Sequence, residues 1–247
     1  MTLVNLLQQS NLLDEIDSFY SPKVGFLRYN GDKWSVSYRP FSKDEKQQAY
    51  KDITYQICKE GLTELTELQR EDIIRRINAF FTNTEVFSAT PSTSDEVIFF
   101  NSNIRQYSYL SNFFHTLIVD SQGNVFPSSE VYYQSKLAKK ISDVVLDFDI
   151  LQPVKWKKKA EHLIQEYQQL HPDKTERLQK WSLSGMKMIL EKKFSQNPVL
   201  SSFIRQTHPY HLAELSHTDP FYGTDPSLSG ENHLGQILMY LREKMLC

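Results

Sequence analysis

The chain has 247 residues, with 28 Lys and Arg against 30 Asp and Glu, and 40% of it is apolar. That length suits one large domain or two modest ones, and an aromatic content of 13% excludes a disordered chain. A net charge of −2 excludes a protein that grips nucleic acid by bulk electrostatics. The first segment, Met1 to Tyr20, carries Asp14, Glu15 and Asp17 and no early Lys or Arg, unlike a secretory signal peptide. A hairpin is expected over Val24 to Tyr38, turning at Asn30-Gly31. Two helices follow. The first opens on a capping box, Ser42-x-x-Glu45, buries Tyr50, Ile53 and Ile57 on one face, and stops near Gly61. The second carries Ile73, Ile77 and Phe80.

Ser88 to Asp95 is small, polar and Pro-containing, the composition of a linker. It divides the chain into residues 1–90, a mostly helical domain or extension, and residues 96–247, which carry the recognisable motifs. Beyond it, Val97 to Phe100 and His115 to Val119 read as strands, the latter entering a turn at Asp120 to Gly123. The pattern then becomes helical. Ser129 caps a helix running to about Ile141. Trp156, Ala160, Leu163, Tyr167 and Leu170 form a stripe that ends at His171-Pro172. Asp173-x-x-Glu176 reads as a capping box, Leu183, Met186, Leu190 and Phe194 as the next stripe, and Pro198 as a first helical residue. Leu234, Ile237, Leu238, Leu241 and Met245 form a last helix, capped by Asn232. The expected class is therefore mainly α with a few short β-strands.

Two cysteines, Cys58 and Cys247, are too few for a disulfide framework or a zinc site. No run of about 18 apolar residues occurs, so no membrane span is expected. A reducing compartment, the cytoplasm, is the expected location. Phosphate-binding glycine loops, zinc-protease motifs and nucleophile elbows are lacking in the sequence. His208, His211 and His217 read as polar loop residues rather than metal ligands. Lys155-Trp-Lys-Lys-Lys159 reads as a solvated helix face with Trp156 turned to the core, a phosphate-contacting patch being the alternative.

Three clusters are left unexplained by periodicity: Tyr109 to Phe114, Phe126 to Gln134, and Asp219 to Gly223 followed by Gly230 to Arg242. Each mixes aromatics with Asn, Gln or a carboxylate, as a pocket that stacks a flat ring and binds its edges would. In this order they resemble the NADAR family. The matching segments are Ile98–Phe100, Ser111-Asn112-Phe113, Gly123, Pro127–Gln134, Lys193-Phe194 before Asn197-Pro198, Asp219–Gly223, and Gly230–Arg242. The resemblance spans about residues 96–247. It implies a helical domain that hydrolyses the N-glycosidic bond of a ribosyl adduct. That means removal of ADP-ribose from a guanine base, or cleavage of an early riboflavin-pathway intermediate. No metal or redox cofactor is implied, and ADP-ribosylated nucleic acid is an admissible partner.

Loss of a base from C1 of ribose leaves a cation on the sugar, which a nearby carboxylate stabilises. The resemblance puts Glu130 in that role. As a first-turn residue it also has the plainer use of complementing the helix dipole. The family commonly has a Lys seven residues later, about 20° from the Glu around the helix. Here that position is Leu137. Lys136 is the neighbouring candidate for the catalytic amine, but it lies roughly 120° away on a regular helix. Either the helix is distorted, or a lysine from elsewhere fills the space, or the chemistry is weakened. Gln134 shares the Glu130 face. The substrate-binding set implied by the resemblance is Asn112, Phe113, Tyr132, Gln134, Asp219, Tyr222, Gly223 and Asn232, with Tyr222 standing where the family usually has Trp. Leu137 also favours a rival reading, a non-catalytic module that binds ADP-ribose or a modified nucleotide. Under a third reading, the N-terminal region docks a protein partner.

Overall fold

The structure, a computed structural model, describes residues 23–29, 34–40, 54–55, 57–59, 61–62, 65–82, 84–92, 96–142 and 153–246. Strands β1 (Lys23–Tyr29) and β2 (Trp34–Pro40) pair antiparallel, from Lys23 opposite Pro40 to Tyr29 opposite Trp34. This is the expected hairpin; its Asn30-Gly31 turn, the Ser42–Glu45 capping box, Tyr50 and Ile53 lie outside the described residues. Residues 57–59 are helical, and the Gly61 N–H closes on the Ile57 carbonyl at 2.9 Å. Gly61 has φ +72°, the left-handed conformation that ends helices at little cost only in glycine.

Helix α1 (Glu67–Phe81) begins at a capping box that the sequence reading did not anticipate. Thr66 accepts from the Gln69 N–H, and Gln69 Oε1 accepts from the Thr66 N–H. Its buried Ile73, Ile74 and Ile77 join Ile57, Cys58 and Leu62 in a core with Leu117, Val119 and Val125. The last three come from the hairpin of β4 (Ile118–Val119) and β5 (Val125–Phe126) and its approach. Ile118 and Phe126 point the other way, into the main core. Alternation along a strand thus places this hairpin between two apolar clusters, which explains why Leu117-Ile118-Val119 is apolar without interruption. Ile57, Cys58, Leu62 and α1 therefore pack directly on the main body.

Strand β3 (Val97–Phe100) pairs in parallel with β6 (His211–Glu214), Phe100 lying opposite Glu214. The reading of His211 as a loop residue is corrected: it opens β6, a strand too short to show in periodicity. The helices are α2 (Ser129–Ser142), α3 (Pro153–Leu170), α4 (Thr175–Ser195), α5 (Pro198–Gln206) and α6 (His233–Leu246). The inner faces of α2, α4, α5 and α6 meet around Val131, Leu190, Phe194, Ile204 and Leu238, and Ile164 of α3 packs against them. The described residues are mostly helical with a few short strands, as expected.

Three local expectations change. Ser129 does not cap α2; the Ser128 hydroxyl accepts from the Val131 N–H, while the Ser129 hydroxyl donates to the Asn112 carbonyl at 3.2 Å. The Asp173-Glu176 capping box is not formed, because Pro172–Lys174 makes a 3-10 turn and Lys174 takes the cap position. Asn232 precedes α6, but its side chain ties β6 instead. Its Oδ1 accepts from the Glu214 N–H at 3.1 Å and its Nδ2 donates to the Leu212 carbonyl at 2.9 Å.

Candidate active site

One face of α2 builds the floor of a cavity of about 160 Å³. Glu130, Tyr133, Gln134 and Leu137 all line it, the i, i+3, i+4, i+7 spacing of a single helix face. Across it, α3 contributes Lys157, Glu161 and Ile164, again at i, i+4 and i+7. Met186 of α4, Glu214 of β6, Asn112 and Phe113, and Asp219 and Tyr222 complete the wall. Such a volume is below that of a typical small-molecule cleft, about 300–1,000 Å³.

Glu130 is buried, 4% exposed. Its Oε1 accepts from Gln134 Nε2 at 2.8 Å, and its N–H donates to the Asn112 carbonyl at 3.0 Å. Burial raises its pKa; the Lys157 ammonium and the Gln134 hydrogen bond oppose that, and the carboxylates of Asp219 and Glu161 reinforce it. Lys157 lies 3.6 Å from Asp219 Oδ2 and 3.8 Å from Glu161 Oε1. Burial alone would lower its pKa, but the carboxylates of Glu130, Asp219, Glu161 and Glu214 outweigh burial and raise it. The cavity is thus carboxylate-rich around one ammonium. Among the described residues these carboxylates form no group placed to hold a metal ion.

The remaining wall is held by hydrogen bonds. Asp219 Oδ1 accepts from the Tyr222 N–H at 3.1 Å. The hydroxyls of Tyr133, Ser182 and Tyr222 form a closed triangle, with Ser182 and Tyr222 at 2.5 Å and Tyr222 and Tyr133 at 3.2 Å. The Asn112 amide donates to Met186 Sδ at 3.4 Å. Beneath this wall Lys193, fully buried, donates to the Ser111 carbonyl at 2.8 Å. Burial lowers its pKa to about 7, with Glu214 opposing the shift. Gln134 Oε1 is buried and accepts from no group among the described residues. It is a ready acceptor for a donor brought by a ligand.

Of the residues singled out from sequence, Glu130, Asn112, Phe113, Gln134, Asp219 and Tyr222 meet at the cavity, and Leu137 lines it. The others do not. Lys136 points to the opposite side of α2, where its Nζ pairs with Asp120 Oδ2 at 2.9 Å. Burial would raise the Asp120 pKa, but hydrogen bonds from Asn124 and Lys136 lower it. Tyr132 stacks on Phe126 at 4.2 Å between centroids and is core. Asn232 is a structural tie, as described. Gly223 permits close packing, since a Cβ there would come within 2.6 Å of Ser216 Cβ and 2.9 Å of the Glu214 carbonyl. The sequence reading missed Lys157, Glu161, Glu214 and Tyr133. The Lys155–Lys159 run reads from sequence as a solvated face, yet Lys157 recurs with Glu161 and Ile164 as a second stripe, one residue on from the apolar one.

Residues 98–246 match the family model described as the NADAR domain. A riboflavin biosynthesis protein of Vibrio vulnificus (strain YJ016) is 34% identical over 151 residues, which is 61% of this chain and 39% of that protein. This chain therefore spans about two fifths of that relative's length. The NMR structure of the E. coli protein YbiA is similar at 26% identity and a TM-score of 0.44, over 65% of this chain and 92% of that one. No helix among the described residues is long and apolar enough to cross a membrane.

Proposed function

The chain belongs to the NADAR family, its residues 98–246 matching that domain, and on that footing we propose that it is an N-glycosidase hydrolysing the C1–N bond of a ribosyl adduct. The observation that carries this reading is the buried Glu130, held by Gln134 and faced by Lys157 inside a cavity of about 160 Å³. Departure of a base puts positive charge on C1 and the ring oxygen, and a desolvated carboxylate stabilises that charge more strongly than water does. Gln134 fixes the carboxylate and keeps Oε1 for a ribose hydroxyl. Lys157 favours the ionised form of Glu130.

Two substrates fit. One is ADP-ribose attached to guanine; the other is an early riboflavin-pathway ribosyl intermediate, the arm favoured by the name of the Vibrio relative. In both, the ribose occupies the cavity and the phosphates stay outside the carboxylates. The rival reading, a non-catalytic binding module, draws on Leu137 in place of the family lysine. Lys157 weakens it, because an ammonium from α3 stands in the same cavity.

The test is to incubate the protein with each substrate and follow the released base or ribosyl product by mass spectrometry. Glu130→Gln should reduce turnover by about 10²-fold or more, the usual effect of removing such a group. Undiminished turnover in that variant would remove Glu130 from the chemistry. Tight binding of either substrate without turnover would establish the binding module instead.

A further inference from the structure

The four carboxyls of the cavity are not equivalent. Glu130 accepts a hydrogen bond from Gln134, Asp219 accepts from the Tyr222 N–H and pairs with Lys157, and Glu161 pairs with Lys157. The Glu214 carboxyl receives no hydrogen bond from the described residues. Its main chain, by contrast, is clamped on both sides. Its N–H donates to Asn232 Oδ1 at 3.1 Å, and its carbonyl accepts from the Thr224 N–H at 2.8 Å. A side chain on so rigid a strand end is positioned in advance, and a carboxyl without donors holds its proton more readily than its neighbours.

From this arrangement we infer that Glu214 is the general acid of the site, delivering a proton to the nitrogen of the departing base while Glu130 stabilises the sugar cation. The inference rests on the N-glycosidase reading. In the step, the C1–N electron pair goes to nitrogen, which takes the Glu214 proton. Water then adds to C1 and loses a proton to Glu130. Exchange with solvent returns the proton to Glu214 and removes the one on Glu130. One carboxyl acting as acid beside a second acting ionised is a recurring solution to glycosidic cleavage; burial raises the pKa of both here, and the Gln134 hydrogen bond favours the ionised form at Glu130 alone. The charged groups facing Glu214 are Glu130 of α2, Lys157 of α3, Lys193 of α4 and Asp219. Burial raises its pKa to about 8, Glu130 and Asp219 adding to the rise and the two lysines opposing it. The acid is therefore protonated below that pH and lost above it.

The substrate class follows: adducts whose nitrogen is a poor leaving group until protonated. The test compares two leaving groups in wild type and Glu214→Gln. One substrate carries an amine or amide nitrogen at C1. The other is a ribosyl pyridinium, nicotinamide riboside, whose base departs neutral without a proton. Glu214→Gln should lose about 10²-fold or more in kcat on the first, the scale of general acid catalysis, and keep its rate on the second. The retained rate also reports that the variant is folded. Wild type should show kcat/KM on the first substrate falling above about pH 8, a limb absent from the variant. Equal losses on both substrates, or an alkaline limb that persists in Glu214→Gln, would overturn the assignment while leaving the N-glycosidase reading intact. A wild-type protein that hydrolyses neither would overturn that reading and the acid role with it.

Discussion

At the scale of single residues, two lysines sort themselves by the side of α2 they occupy. Lys157 enters the cavity and Lys136 leaves it for Asp120. Lys157→Met should reduce kcat/KM by about 10²-fold, because Glu130 loses the charge that opposes its burial. The sign is fixed by which form works. Glu130 acts ionised and Lys157 depresses its pKa, so removing the ammonium should move the acidic limb of the pH profile to higher pH. Lys136→Met should leave activity and that limb in place and cost about 1–3 kcal/mol in urea denaturation, because the buried Asp120 carboxylate loses its ammonium partner. The Glu130, Gln134 and Leu137 face was legible from the sequence because 3.6 residues per turn fix it. Glu214 was not legible, because its position depends on β6 pairing with a strand more than a hundred residues away.

At the scale of elements, α1 adds to its apolar contacts with the main body one side chain that acts as a strand edge. Asn78 Nδ2 donates to the Leu117 carbonyl at 2.9 Å, and Asn78 Oδ1 accepts from the Leu117 N–H at 2.7 Å. Both groups are buried, so Asn78→Ala should cost about 2–3 kcal/mol by leaving an amide and a carbonyl unpaired. Denaturant titration measures this, and turnover per folded molecule should be unaltered. The end of α3 and the starts of α5 and α6 were legible from His171-Pro172, Pro198 and apolar spacing. Asn78 was not, since a polar residue within a helical stripe carries no sign of what it will pair with. The second stripe of α3 shows the same limit: a helix that roofs a cavity has a polar flank that reads as solvated until the opposite wall is known.

At the scale of the molecule, the β4–β5 hairpin belongs to two cores at once, giving Leu117, Val119 and Val125 to one and Ile118 and Phe126 to the other. A perturbation in the smaller core should therefore be felt throughout. Ile74→Ala, at a fully buried position, should cost about 3 kcal/mol through lost burial and the cavity left behind. It should also shift a single unfolding transition, with helical content and β4 amide protection lost at the same midpoint. Two separated transitions would show that the cores are independent.

The triangle of Tyr133, Ser182 and Tyr222 hydroxyls has a consequence for substitution. An indole has one N–H and no acceptor oxygen, so Trp at position 222 would leave the direct Tyr133–Ser182 bond in place while removing the oxygen that both hydroxyls now share. The three positions are thereby coupled: the stability losses of Tyr222→Phe and Ser182→Ala should not add in a double-mutant cycle.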